Sequence, residues 1–258
     1  LLHKEKPDLC HVHNIYTQLS PSILDTLKDK KVPIVMTVHD HHLVSAQYNI
    51  WADGCGRDIR SMHPIAAVLK KFHKDSLAAS LLQQLVFSFH QSIKIYQKNV
   101  DKFLCPSTYM RDQLIAAGYD AAKIRVLRYG VDARRIQPRY THKKYFLYFG
   151  RLSEEKGVET VLTLANHLDD MTFKIVGSGP EEEELHRKAH KLSNVEFTGF
   201  QTGKALQDLI ANATAVLVPS RVHENFPLVA MEAMSHGTPV AASHVGGVEE
   251  IVHDRVNG

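Results

Sequence analysis

Glu224 and Glu232 bracket a turn and the first part of a short apolar segment, ENFPLVAME, and Glu232 is the only charge among Leu228, Val229, Ala230, Met231, Ala233 and Met234. A carboxylate in such surroundings is costly unless something neutralises it or donates hydrogen bonds to it. Far upstream, Arg151 and Lys156 stand in a turn, GRLSEEKG, that follows the apolar run Tyr145 to Gly150. Carboxylates accept hydrogen bonds from hydroxyl groups, whereas cations and the free N–H groups of a helix start hold phosphate. A ligand that meets all of them carries hydroxyls and phosphates together, as a sugar nucleotide does. On spacing alone two structural alternatives stand beside that reading. Glu232 could pair with a buried Arg or Lys, with Glu224 merely at the helix start. Arg151 and Lys156 could be solvated loop charges paired with Glu154 or Glu155.

The elements that would position these groups are legible in the pattern. Ala215 to Pro219 reads as a buried strand and Pro227 to Ser235 as a helix, with Pro227 at its first position, Gly237 just past its end and Pro239 blocking continuation. Both carboxylates are expected near that helix N-terminus, where the N–H groups of the Phe226 to Leu228 turn would meet phosphate. Strands at 145–150, 172–177, 195–200 and 238–243 alternate with helices at 158–167, from near Glu181, and at 205–211. Ser178-Gly179-Pro180 follows one of these strands; its G-x-G is either an ordinary tight turn or a place where backbone approaches a ligand closely.

The first half has the same alternation. Runs at 7–14, 32–40, 100–107 and 124–131 are apolar and close in polar residues, as strands buried on both faces do. Ligands collect at the carboxyl ends of such strands. That rule puts His13, Asn14, His39, Asp40, His41 and His42 at one mouth. The H-D-H-H run projects side chains in different directions, so no metal site is expected. A neutral His at one of these strand ends, hydrogen-bonding a substrate hydroxyl, is expected instead, against a capping or packing role.

Residues 46–63, with Trp51 and Cys55, read as an irregular loop. The stretch 64–98 reads as helical and mixes Lys70, Lys71 and Lys74 with Leu77, Leu81, Leu82, Leu85, Val86, Phe89 and Ile93. It is a candidate for peripheral membrane contact, the alternative being packing on the sheet and between helices. The polar stretch 132–144 is expected to link two domains, residues 1–137 and 138–258, each Rossmann-like and α/β in class. With 258 residues and a net charge of +3, nothing suggests a nucleic-acid surface. Cys10, Cys55 and Cys105 form no C-x-x-C, which fits a reducing, cytoplasmic location, with the inner face of the membrane as a docking surface. Leu1 and the Asn257-Gly258 turn look like cut ends, so a fragment is expected.

The segments GRLSEEKG, VGSGP, FTGF, VPSRVHENFPLVAMEAMSHGTPVAAS and GGVEEIV resemble the successive motifs of the retaining glycosyltransferases of family 4, and PDLCHVHN, MTVHDHH, VDKFLCPS and VLRYGVD are similar to that family's acceptor-side domain. The resemblance implies the GT-B fold, two Rossmann-like domains facing across a cleft, both incomplete here. It implies transfer of a sugar from a nucleoside diphosphate sugar to a hydroxyl acceptor, glycan or lipid-linked, with retention and without metal or cofactor, in polysaccharide or glycolipid synthesis. Glu224 and Glu232 match the family's E-x7-E pair, the first near the hydroxyls of the transferred sugar and the second on the ribose. Arg151 and Lys156 match the residues that hold the diphosphate. Asn225, Phe226, Pro227 and Leu228 match the turn whose backbone meets phosphate and sugar. Gly150 closes the strand before the cation turn, Gly177, Ser178, Gly179 and Phe200 match the wall around the base, and His39 matches a histidine facing the sugar. The family's glycine-rich first loop and its C-terminal crossing helices would lie outside this sequence. A noncatalytic nucleotide-sugar binder and another GT-B enzyme, such as a sugar-nucleotide epimerase, are the alternatives.

Overall fold

Strands that pair in parallel need a crossover between neighbours, and both faces of the resulting sheet must be covered. All the ladders among the described residues are of this kind. The computed structural model describes residues 5–16, 19–51, 58–140 and 143–258. Cys55 and the 52–57 part of the irregular loop lie outside the described residues. The chain forms two units, Leu1–Arg128 and Tyr129–Gly258.

In the first unit β1 (Cys10–Val12), α1 (Ile23–Asp29), β2 (Ile34–Thr37), α2 (Pro64–Leu69), α3 (Leu77–Ile93), α4 (Ile95–Asn99), β3 (Lys102–Cys105), α5 (Thr108–Ala116) and β4 (Ile124–Val126) build a sheet of order β1-β2-β3-β4. The strands are shorter than the apolar runs that signal them, because the polar residues closing each run leave the ladder at its carboxyl end. Leu24 and Leu27 of α1, Ile34 and Met36 of β2, Phe103 of β3, and Met110 and Leu114 of α5 share one buried cluster.

The second unit contains β5 (Tyr145–Phe149), α6 (Val158–His167), β6 (Thr172–Val176), α7 (Glu182–Ala189), β7 (Val195–Gly199), α8 (Gly203–Asn212), β8 (Ala215–Val218), α9 (Leu228–Ser235) and β9 (Val240–Ala242). Strand order is β7-β6-β5-β8-β9, so the direction of winding reverses between β5 and β8. Residues of β5 alternate between two cores. Tyr145, Leu147 and Phe149 pack with Ile210 of α8 and Ala230 and Ala233 of α9, while Tyr148 packs with α6 and α7 through Val158, Leu162 and Leu185. The period of two in the strand and two covered faces produce this division.

The expected boundary after residue 137 falls later than the division at Arg128/Tyr129. Tyr129 lies edge-on against Phe226 at 5.8 Å, and Arg139 N–H donates to His236 O at 2.9 Å, so the stretch read as a linker packs on the second unit. Helix α9 begins one residue later than its pattern suggests, with Pro227 in an extended conformation as its N-cap. It is also less buried: only Ala230 and Ala233 are fully enclosed.

One backbone contact seats the cation turn on the neighbouring strand. Gly157 has φ +70°, and a Cβ there would overlap the Pro219 carbonyl oxygen that follows β8. Arg221 N–H closes the other side by donating to Glu155 O at 2.9 Å. Gly157→Ala should therefore destabilise the second unit by at least about 2 kcal/mol, combining positive-φ strain with the clash. A fall in the urea midpoint at unchanged m-value reads this effect, and an unchanged midpoint would contradict the contact.

The first unit carries its own sensitive group. His41 is buried, and burial first, then the nearby Arg60, lowers its pKa from 6.5 to about 4. A lowered folded value means the unfolded chain takes up the proton first, so stability is full above 6.5 and is lost as pH falls toward 4. The loss from this group should reach on the order of 3 kcal/mol below pH 4. Calorimetry from pH 7 to 4.5 should show a declining melting temperature for the first unit, flattened in His41→Gln.

Candidate functional site

Where winding reverses between two parallel strands, their following loops part in opposite directions and open a crevice at the carboxyl ends. In the second unit that place is the end of β5 and β8. Lys156 leaves the turn after β5 and Glu224 the turn after β8, and Lys156 Nζ donates to Glu224 Oε1 at 2.6 Å. Ser220 Oγ donates to the same oxygen at 2.6 Å. The carboxylate side chain is 15% exposed and the lysine 34%, so the pair is partly shielded while the ammonium keeps a solvent face. An ammonium has three donors. One is committed to Glu224, which leaves Lys156 able to bind a second anion.

At the ends of β5 and β6 in the same unit, Phe149, Gly150, Arg151, Val176, Gly177, Ser178, Phe200, Gln201 and Leu206 line a pocket of about 280 Å³. Five residues singled out in the sequence thus come together: Gly150, Arg151, Gly177, Ser178 and Phe200. The turns after β5 and β6 nest because Gly177 has φ +140° and a Cβ there would overlap Gly150 O. Leu152 N–H donates to Ser178 O at 2.9 Å and Glu181 N–H to Leu152 O at 3.0 Å, which holds the Ser178-Gly179-Pro180 turn. Phe200 is 72% exposed, a large ring held at the rim with one face open. Arg151 is exposed, and its carbonyl is fixed by Tyr148 Oη–H at 2.7 Å.

After β8 the chain runs Glu224, Asn225, Phe226, Pro227 into α9. Gly247 N–H donates to Glu224 O at 2.7 Å, so the turn is braced by the segment after β9. Asn225 and Phe226 are buried, and Leu228 opens the helix at 43% exposure. No side chain caps this N-terminus. Glu232, half-buried on the next turn, has its carboxyl pKa raised by burial, with His236 opposing. The ion pair considered for Glu232 is made by Glu224 instead; among the described residues no Lys or Arg pairs with Glu232. Glu224 turns toward the loop after β5, where Lys156 and Ser220 hold one of its oxygens.

In the first unit the histidines gather at the ends of β1 and β2, where two of them face each other and the others turn elsewhere. His13 Nδ1 and His39 Nε2 lie 2.6 Å apart, and His11 Nε2 lies 2.8 Å from Thr37 Oγ1. Burial and then the neighbouring imidazole, His11 for His13 and His13 for His39, lower both pKa values. Two imidazoles this close share one proton. His41 points inward to Tyr48 O and Tyr109 Oη, and His42 stacks on Tyr16 with ring centroids 4.2 Å apart. Among the described residues no group of three or more His, Cys, Asp or Glu side chains could hold a metal ion.

Sequence reading missed Ser220, Gln201 and Tyr148. Ser220 could have been found from its place directly after a strand end; Gln201 and Tyr148 carry no such signal, since they reach the site through a turn and through the strand's other face.

Comparison with known families gives this geometry a context. Residues 1–135 match the family described as Glycosyltransferase Family 4, and residues 132–258 match the one described as Glycosyl transferases group 1. The chain is 28% identical over 266 residues to a glycogen synthase of Mycobacterium tuberculosis, covering 98% of this chain and 55% of that protein. It is 30% identical over 180 residues to the sulfoquinovosyl transferase SQD2 of Arabidopsis thaliana, covering 64% of this chain and 35% of that protein. The crystal structure of Anabaena HepE in complex with UDP and glucose shares the fold, with TM-score 0.68 at 20% identity over 99% of this chain and 64% of its own. The chain thus spans a third to about half of these curated relatives. Matched over more than half its length by one of these families and over all the remainder by the other, the chain belongs to glycosyltransferase family 4.

Proposed function

We propose that the protein transfers a sugar from a nucleoside diphosphate sugar to a hydroxyl of a glycan or lipid-linked acceptor, with retention at the anomeric carbon and without a metal. The observation that carries this reading is the Lys156–Glu224 pair, 2.6 Å across the ends of β5 and β8, in the same unit as a pocket at the end of β5 lined by Arg151 and Phe200. Bond cleavage at the anomeric carbon places negative charge on the departing diphosphate. Arg151 offers a planar fork of donors, Lys156 its remaining donors, and the uncapped start of α9 its N–H groups. The leaving phosphate itself takes the acceptor proton on the face where it departs. Glu224, held by Lys156 and Ser220, accepts from a sugar hydroxyl through its second oxygen, and Glu232 accepts from the ribose. The base stacks on Phe200 beside the Gly177-Ser178-Gly179 turn.

Uridine is the first base to test, because the Anabaena neighbour was crystallised with UDP. A ligand that binds only the native state raises stability, by about 2.7 kcal/mol at a hundredfold excess over Kd. A thermal-shift series with UDP-, GDP- and ADP-sugars should single out one base, and no shift with any of them would count against donor binding.

Turnover in the full-length protein should fall roughly 10² to 10³-fold in Lys156→Ala and in Arg151→Ala if each stabilises the leaving group. Glu224→Ala should fall as well, and a chelator should leave the rate unchanged. Equal turnover in wild type and all three variants would sink the assignment of these residues, and loss of activity with EDTA restored by a divalent ion would sink the metal-free reading.

A further inference from the structure

Helix α3 is inside out. A helix on a protein in water ordinarily turns its apolar face inward and its polar face outward. Here most of the side chains that reach the body of the unit are polar, with Phe87 and Ile93 the apolar ones beside them. Ser80 is fully buried and its Oγ accepts His73 N–H at 2.9 Å, Gln83 Nε2 donates to Ala46 O at 3.3 Å, and Gln91 Nε2 donates to Leu43 O at 2.7 Å. The opposite face presents Leu77, Leu81, Leu82, Leu85, Val86 and Phe89, between 39% and 63% exposed. Ile65 and Leu69 of α2, at 67% and 64%, add to the exposed apolar surface next to it. An apolar patch of this kind marks a surface with an apolar partner.

Charge distinguishes among partners. Lys70, Lys71 and Lys74 are exposed in the turn that leads into α3, Lys94 and Lys98 are exposed beyond its end, and no Asp or Glu occurs from Ser76 to Asn99. A second copy docked face to face would set these five lysines against each other, with Asp75 the one acid between Lys70 and Asn99 to pair them. An anionic surface accepts them all. The helix has 17 residues, roughly 25 Å in length, and no helix among the described residues is long and apolar enough to cross a membrane. Lying flat, an amphipathic helix buries its apolar face at the boundary between headgroups and acyl chains, with basic residues on the lipid phosphates.

We infer that α3, with the Lys70 to Lys74 turn, is an interfacial docking helix that seats the first unit on an anionic lipid bilayer. Leu81, Leu85 and Phe89 enter the acyl boundary, and Lys70, Lys71 and Lys74 hold lipid phosphates. The inverted polarity follows from that seat: the glutamines satisfy backbone carbonyls of the 43–46 loop, and the leucines have hydrocarbon rather than water to meet.

Flotation of the full-length protein with phosphatidylglycerol–phosphatidylcholine vesicles, against phosphatidylcholine alone, tests this directly. Wild type should float with the anionic vesicles and lose binding as salt rises. Leu81→Gln/Leu85→Gln/Phe89→Gln should lower vesicle partitioning at least about tenfold, and Lys70→Gln/Lys71→Gln/Lys74→Gln should lower it on anionic vesicles and remove the salt dependence. These side chains are exposed, so both variants should keep the wild-type melting temperature and turnover on a soluble acceptor. Wild type that fails to float with either vesicle, or leucine variants that float like wild type, would overturn the inference. So would a dimer in sedimentation that the leucine variant dissolves, since the face would then bind protein. A protein without transferase activity that still floats leaves this inference standing and removes the catalytic one.

Discussion

The close approach of the Gly157 backbone to the Pro219 carbonyl ties the turn after β5 to the end of β8, and the candidate site depends on it. Parallel strands leave their carboxyl ends open, since each must continue into a crossover. At the reversal between β5 and β8 those crossovers part, and something must hold the two turns at a fixed spacing. The glycine supplies the backbone approach, Arg221 N–H on Glu155 O supplies the hydrogen bond, and Lys156 on Glu224 supplies the charge. A side chain at position 157 would push the cation turn away from its carboxylate partner.

That arrangement also explains why Glu224 and Glu232 differ so much. Glu224 is held by an ammonium and a hydroxyl on one oxygen, so its cost of partial burial is met inside the protein. Glu232 has burial without a cation, and its carboxyl pKa rises accordingly. A group in that position gains from a ligand that brings hydroxyl donors. The shared surroundings of the helix therefore give one carboxylate a cation and leave the other, among the described residues, without one.

The first unit shows the same economy with a different outcome. Its sheet core is continuous through Ile34, Met36, Phe103 and Met110, yet α3 contributes only Ser80 to the buried set. Amphipathic periodicity says that a helix has two faces; which face turns inward depends on what it meets. Here it meets the carbonyls of the 43–46 loop, which demand donors, and the glutamines provide them.

Strand and helix order, the class of both units and the turn that carries Arg151 and Lys156 were legible in the sequence, because period, Gly and Pro are local signals. Pro227 and Gly237 bounded α9 to within a residue. The gathering of His13 with His39 followed from strand ends alone, and the family followed from the motif segments. Which carboxylate takes the lysine was not legible, nor was the burial of α9 or the inward face of α3. Tyr148 and Gln201 entered the site without any pattern to announce them. Each of those depends on partners distant in the chain, and side-chain pairing across two crossovers is set by how turns seat on one another. Local sequence fixes which groups stand at a strand's end; only the packed sheet decides which of them touch.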